Sequence, residues 1–405
     1  MLDVTIVGAG ASGLVAAITA ARRGKKVLIL EKNNKIGKKL LATGNGRCNI
    51  GNQKATTNHF HSQNPSFIEQ TLSDYSYQSV KQFFKSIGLE LIEGKEGKVF
   101  PMSLQASSVV ELLAYQCEEL GVKILCETEV VSIKKKENHY QLRHLHGHTL
   151  SRKVLIATGH CAAPQLGGVE RGIAFAKAFG HTAIEPFPSL VQLTAPYKDH
   201  YLKAMSGVKL ECKVTLNKKK VLTKQGDLLF TNYGLSGLVI LDISRFVMEE
   251  LSQKKNIMLT IDLMPKLSHQ QLLALMKKSL PKKSQKPLKV WLQGFIHKKL
   301  IAPILEPLKL QNETLSTLQS KPKELEKIVK HIKSFQFEID GSRGYKGAEV
   351  AAGGVNTKEI NPKTMESKKH QGLYFTGEVL DVDGDRGGFN LHFAWVCGLR
   401  AGKSI

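Results

Sequence analysis

No Cys-x-x-C pair occurs anywhere in the chain. The six cysteines, Cys48, Cys117, Cys126, Cys161, Cys212 and Cys397, are scattered without framework spacing. That excludes a structural zinc ribbon and a disulfide scaffold and points to a reducing compartment, the cytoplasm by default. Also missing is any unbroken apolar run of about eighteen residues, the length a membrane span needs. The apolar opening stretch is interrupted by Gly8, Gly10, Gly13, Arg22 and Arg23, so neither a signal peptide nor a transmembrane helix is expected. A third absence is local: Met264 to Leu305 has nine lysines and neither Asp nor Glu.

At 405 residues the chain can bury a sizeable core and suggests two or three domains. Its charge is lopsided. The 58 Lys and Arg against 35 Asp and Glu give a formal +23, a balance that favours RNA, DNA or an anionic surface as partner. Residues 191–340 carry 26 basic and 13 acidic side chains, so more than half of the surplus lies mid-chain. Two readings of that stretch stand side by side: a nucleic-acid surface, or solvated helix faces.

What is present begins at the first strand. Val4-Thr5-Ile6-Val7 is a β-branched apolar run that reads as a buried strand. Gly8-Ala9-Gly10-Ala11-Ser12-Gly13 fits G-x-G-x-x-G, and Leu14 to Arg23 has the Ala-rich composition of a helix packed on a sheet. Gly8 permits a tight turn, Gly10 lets backbone approach a pyrophosphate, and Gly13 allows close helix–strand packing. A second strand, Lys26 to Leu30, delivers Glu31 at the spacing of a carboxylate that accepts a ribose hydroxyl. Strand, glycines, helix, strand and acid in this order mark a dinucleotide-binding βαβ unit.

Further on, Thr43-Gly44-Asn45-Gly46-Arg47-Cys48-Asn49 describes a backbone-donor loop able to wrap a phosphate or a heteroaromatic ring. Residues 65–90 read as helical, and Ala106 to Gly121 as an amphipathic helix with a glycine cap. Val122–Leu125, Glu129–Ile133 and Tyr140–Leu142 read as a β-meander. His144, His146 and His148 recur at period two, which fits a metal-binding face or a hairpin rim; no carboxylate or thiol lies nearby in sequence to favour a metal. Lys153 to Ile156 then returns as a buried strand ending in Ala157-Thr158-Gly159. From about Ser189 short alternating segments (191–194, 208–216, 221–223, 228–231) suggest an antiparallel sheet or small barrel, followed by helices over 270–280 and 288–301. The chain closes with Tyr374-Phe375-Thr376-Gly377-Glu378, then Arg386-Gly387-Gly388-Phe389-Asn390 opening an apolar helix over 391–399.

Glycines before a helix at both chain ends aim backbone N–H groups and two dipoles at something anionic and long. FAD fits this better than NAD. Successive grips at 8–13, 43–49, 157–159, 377–378 and 388–390 match adenosine, pyrophosphate, ribityl chain and ring in turn. No later G-x-G-x-x-G follows a strand, so a second, nicotinamide-binding unit is absent and NAD(P)H is expected only as a transient reductant.

Lys38 to Asn49, Leu229-Phe230-Thr231-Asn232-Tyr233-Gly234-Leu235-Ser236-Gly237, Ala348 to Val355 and Gly377 to Gly384 together resemble motifs of the HI0933-like (BaiN/RdsA, "aminoacetone oxidase") family of bacterial NAD(P)/FAD-dependent oxidoreductases. The resemblance implies an α/β fold: a Rossmann-like FAD-binding domain of the two-dinucleotide-binding flavoprotein type, with an inserted β-rich domain and a helical subdomain. The expected division is 1–190 plus 341–405 for FAD, 191–263 plus about 333–340 for the β-rich insertion, and 264–332 for the Lys-rich helices. The FAD contacts it implies are Gly8, Gly10, Ala11, Ser12, Gly13, Glu31, Lys32, Lys39, Thr43, Gly44, Asn45, Gly46, Arg47, Asn49, Val130, Ala157, Thr158, Gly159, Gly377, Glu378, Asp383, Gly388, Phe389, Asn390 and Leu391.

Implied activities are reduction of a ribosomal RNA uridine to dihydrouridine, reduction of a ring double bond in bile-acid-like molecules, and amine oxidation. A flavin-containing RNA-binding factor without turnover is a fourth reading. The family places Cys48, beside Arg47, against the flavin; it is then either the proton donor or a small packing residue. Arg386 and His392 are secondary candidates for anion and acid roles. The sequence departs from the family pattern at Gly159-His160, at 161–166, at Asn232, at Leu238 and at Asp385-Arg386, which are substrate-side positions. Ribosomal RNA, approached through residues 264–305, is the expected partner.

Overall fold

The computed structural model describes residues 1–196, 199–218, 220–281 and 284–405. Lys282 and Lys283 of the basic stretch lie outside the described residues. The chain divides into two compact units, Met1–Pro188 with Ala348–Ile405, and Ser189–Gly347.

The first unit is organised by a parallel sheet. β1 (Leu2–Val7) leads through α1 (Ala11–Ala21) to β2 (Val27–Leu30). Helix α2 (Ala106–Glu119) then delivers β3 (Lys123–Leu125) to the outer side of β2, in parallel. The segment expected to open a meander is therefore the edge of the parallel sheet, because a helix rather than a tight turn precedes it. The true meander is β4 (Val130–Lys135), β5 (Tyr140–His144) and β6 (Gly147–Ile156). β6 serves twice. Its first half pairs antiparallel with β5, and its second half lies parallel between β1 and β7 (Leu373–Phe375). Val4, Ile6, Ile29, Val154, Leu155 and Phe375 have no or almost no exposed surface, the continuous apolar reading of strands covered on both faces.

The last helix, α3 (Phe389–Ser404), packs along α1 in the same direction. A β-carbon at Gly398 would come within 2.6 Å of Ser12 O, and one at Gly402 within 2.5 Å of Thr19 Cβ. Two glycines one turn apart thus let the helix backbones close on each other.

In the second unit seven strands form one antiparallel sheet, in the order Phe335–Ile339, Ile257–Asp262, Lys209–Leu216, Leu222–Thr231, Gly234–Ser236, Leu193–Thr194, Gly341–Ser342. Helices Leu238–Leu251, His269–Lys278 and Pro322–Lys333 share its hydrophobic core. The compact units meet at 188/189 and 347/348, and the strands and helices of the second unit share one hydrophobic core. The helix expected over 288–301 is broken: Leu288–Trp291 gives way to short 3-10 turns, and His297 is extended with its ring accepting from Lys299 N–H. No helix among the described residues is long and apolar enough to cross a membrane.

Candidate functional site

The site is built where β1 ends. Gly8 takes φ +109°, and a β-carbon there would lie 2.5 Å from Ala157 O, so the first glycine turn and the end of β6 touch through backbone. Ala157 N–H donates to Val7 O at 2.9 Å. At Gly13 a β-carbon would sit 2.1 Å from Gly8 O, whereas at Gly10 it would meet nothing within 4 Å. Gly10 is the N-cap of α1, with no side-chain cap and no acid in the first turn. The N–H groups of Ala11, Ser12 and Gly13 therefore open a helix terminus that asks for an anion.

Glu31 follows β2 and is 7% exposed. Its Oε2 accepts from Ala9 N–H at 2.7 Å and its Oε1 from Asn33 N–H at 2.8 Å and Asn33 Nδ2 at 2.7 Å. The carboxylate locks the glycine turn and keeps lone pairs for a further donor. Thr128 N–H closes on Glu31 O, setting the turn into β4, where Val130 is buried. Beside it, burial lowers the Lys32 pKa, opposed by Glu129 and Glu31.

The 43–49 loop takes left-handed backbone at Gly44, Asn45, Gly46 and Cys48. Gly44, Asn45, Gly46 and Arg47 are exposed, with Arg47 over the Phe100 ring at 5.4 Å. Thr43 Oγ1 donates to Leu40 O. Cys48 is turned inward, has no exposed surface, and has its thiol pushed up to about 11 by burial, moderated by a hydrogen bond with Thr43. The side chain packs in the core rather than facing the loop's outer surface. Asn49 Oδ1 accepts from Val99 N–H.

Residues far apart in sequence close the other side. Lys39 Nζ binds both oxygens of Glu378, at 3.1 and 2.8 Å, and Glu378 Oε1 also accepts from Ala351 N–H. Gly159, at φ +68°, has Glu378 Oε2 as the nearest atom to its β-carbon position, at 3.9 Å. Thr158 Oγ1 lies 2.1 Å from where a β-carbon of Gly172 would be. Gly377 takes φ +74° against Ser12, and Asp383 is buried in a short strand, Asp383–Gly384, paired with Phe60–His61. Asn390 clamps Gly384, accepting from its N–H and donating to its carbonyl, both at 2.8 Å.

Gly388, at φ +98°, is the N-cap of α3; a β-carbon there would meet Gly51 O at 2.4 Å. Like α1, this helix has no side-chain cap and no acid in its first turn. Because Gly398 abuts Ser12 and the helices run the same way, Phe389 begins α3 about 12 Å upstream of the start of α1. Two positive helix ends facing one way with that stagger fit a ligand bearing an anionic group at one point and developing negative charge further along. The open face at Gly10 and the uncapped helix ends make the residues present compatible with FAD.

Not every expectation is brought together. His392 is 1% exposed, neither ring nitrogen has a hydrogen-bond partner among the described residues, and burial lowers its pKa to about 4, so it is a neutral imidazole rather than an acid. His144 and His148 flank the tight turn of the β5–β6 hairpin, with His146 in the turn. His144 binds Thr149 Oγ1 and His146 binds Glu127 O, so the three do not form one face. No His, Cys, Asp or Glu group able to hold a metal occurs among the described residues.

Sequence reasoning missed one cluster. Asp385 Oδ2 lies 3.2 Å from His59 Nδ1 and Oδ1 lies 3.0 Å from His61 Nε2. The alternating His59-Phe60-His61 was the only local signal, and its partner is more than three hundred residues away.

The HI0933-like protein Rossmann domain model matches residues 2–404. A 3-dehydro-bile acid delta(4,6)-reductase of Clostridium scindens is 35% identical, covering 100% of this chain and 99% of its own. A ribosomal RNA dihydrouridine synthase of Haemophilus influenzae is 35% identical over 99% of this chain and 97% of its own. Among solved structures, a 3-ketosteroid-delta4-(5alpha)-dehydrogenase of Rhodococcus jostii shares the fold, with a TM-score of 0.51 at 16% identity over 100% of this chain and 96% of that one. The chain belongs to the HI0933-like family of Rossmann-fold flavoprotein oxidoreductases.

Proposed function

We propose that this protein is a FAD-dependent reductase of an activated C=C bond, with uridine in ribosomal RNA as its leading substrate. The observation that carries the reductase reading is the pair of uncapped, staggered helix N-termini of α1 and α3 beside the Gly8–Gly13 turn. When bound, FAD supplies the hydride. The chain's own groups do the rest. Ala11, Ser12 and Gly13 would offer N–H groups to its pyrophosphate, Glu31 would accept from a ribose hydroxyl, and Gly44 to Arg47 with Thr158, Gly159, Gly377 and Glu378 would line the middle. Gly388 to Leu391, at the positive end of α3, would favour negative charge on a ring held there.

The RNA reading is supported by charge. Lys278, Lys286, Lys289, Lys298 and Lys299 are exposed and have no acidic partner among the described residues, whereas Lys266 and Lys277 pair with Glu211 and Glu326. Two relatives named ribosomal RNA dihydrouridine synthase point the same way. A cytoplasmic enzyme drawing electrons from transiently docked NAD(P)H follows from this reading. The second reading, a ring-alkene reductase for bile-acid-like molecules, is favoured by the Clostridium relative.

The test is deletion of the gene followed by mapping of dihydrouridine in ribosomal RNA. Loss of one modified position, restored by the intact gene, is the expected result; an unchanged pattern overturns the RNA reading. Turnover of a dienone steroid by the same purified protein would then support the second.

A further inference from the structure

We infer that His59, His61 and Asp385 form the proton-delivering cluster of this site, with His59 Nε2 as the donor atom and Asp385 as a positioning residue that holds both imidazoles. The inference rests on the C=C reductase reading. Its geometry begins with the pairing of Phe60–His61 and Asp383–Gly384, which sets Asp383 opposite His61 and Gly384 opposite Phe60. The chain then turns so that Asp385 N–H donates to His59 O at 2.8 Å. The carboxylate is thereby shared, one oxygen to each ring.

The His59 ring also lies flat on Phe389, with centroids 4.2 Å apart and planes 12° from parallel. Phe389 is the first residue of α3, so stacking holds the imidazole at the positive end of that helix. With Nδ1 engaged by Asp385, Nε2 is the nitrogen left for substrate. The side chains of His59, His61 and Asp385 are 35%, 20% and 27% exposed, open enough to meet a substrate and to exchange protons with water. The other charged groups around them are Asp381, which accepts from Ser62 Oγ and Gln63 N–H, Asp383 on the facing strand, and Arg386 next in the chain, itself near Glu96.

Saturating a C=C bond takes a hydride at one carbon and a proton at its neighbour. As the hydride from the reduced cofactor forms the first C–H bond, the π pair takes the proton. The His59 Nε2–H bond breaks, the second C–H bond forms, the imidazolium becomes neutral, and the cofactor is left oxidised by two electrons. Nε2 regains its proton from water at the open side of the ring, while Nδ1–H stays on Asp385. Other donors are poorly placed: Cys48 has no exposed surface and its thiol is held up near 11, and His392 is sealed and neutral. A carboxylate that orients an imidazole so that its far nitrogen faces the reactant is the usual arrangement for general acid work.

The experiment mixes dithionite-reduced, FAD-loaded protein with three acceptors: a ribosomal RNA transcript, a 4,6-dien-3-one steroid, and ferricyanide, which takes electrons without a proton donor. For whichever alkene the wild type reduces, His59→Gln is expected to slow flavin reoxidation about 100-fold and Asp385→Asn to slow it less, with ferricyanide unchanged in both. His59→Gln at the wild-type rate overturns the inference. A wild type that reacts with ferricyanide but with neither alkene overturns the reductase reading itself, and the inference with it. An independent readout is 15N NMR of the histidines in the oxidised protein. Asp385→Asn is expected to shift the resonances of His59 Nδ1 and His61 Nε2, the two nitrogens that face the carboxylate; two unchanged resonances overturn the cluster.

Discussion

Gly398 and Ser12 meet so closely that a β-carbon on the first would stand 2.6 Å from the carbonyl oxygen of the second. This contact sets the stagger between the two helix N-termini of the site. Gly398→Val forces α1 and α3 apart and is expected to cost about 1–3 kcal/mol through overpacking. It should also loosen FAD, because both helix ends move relative to one another. Urea unfolding midpoints and flavin retained after gel filtration measure the two effects. A variant of wild-type stability with full flavin content would show that the close approach is incidental.

Within Met264–Leu305, the five exposed lysines that have no acidic partner among the described residues, Lys278, Lys286, Lys289, Lys298 and Lys299, give a salt test of the RNA reading. Replacing them with glutamine should weaken binding to a ribosomal RNA fragment. It should also lower the slope of log affinity against log salt by about one for each phosphate that is no longer neutralised. Filter binding at several salt concentrations reads the slope, and an unchanged slope assigns these side chains to plain solvation.

Cys48 offers a prediction with a negative sign. A side chain with no exposed surface and a thiol pushed up to about 11 should be inert to iodoacetamide at neutral pH. Half-buried Cys126 should be alkylated well before it. Cys48→Ala is expected to keep the alkene reaction within a few-fold of wild type, since no proton passes through it. Mass-spectrometric mapping and single-turnover rates check both halves, and a hundred-fold loss in Cys48→Ala would restore the thiol as donor.

What the sequence made legible here was local. The Gly8–Gly13 turn, Glu31 and the capless starts of both helices show as short ordered patterns because each depends on neighbours in the chain. Lys39 with Glu378, and His59 with Asp385, are separated by more than three hundred residues, and no spacing rule relates them. Gly398 and Gly402 read alone as weaknesses in a helix; only the approach of α1 explains them. Only the second half of β6, Lys153 to Ile156, reads as a buried strand, because the two halves answer to different partners, one antiparallel and one parallel.

His392 carries the clearest pH consequence. Burial alone takes its pKa from an ordinary 6.5 to about 4, and the ring is 1% exposed. The folded state thus resists a proton that the unfolded chain accepts readily. Stability from this group is complete above about pH 6.5, falls as the unfolded chain becomes protonated, and is lost once pH drops through 4. A shift of that size corresponds to roughly 3 kcal/mol at most. His160 and His181, both lowered chiefly by burial, add to the acid loss, so the informative quantity is a difference between proteins. His392→Gln should lose less stability than the wild type between pH 7 and pH 4, by up to that amount. Denaturant midpoints across the range measure it, and parallel curves would mean that His392 keeps its ordinary affinity for protons in the fold.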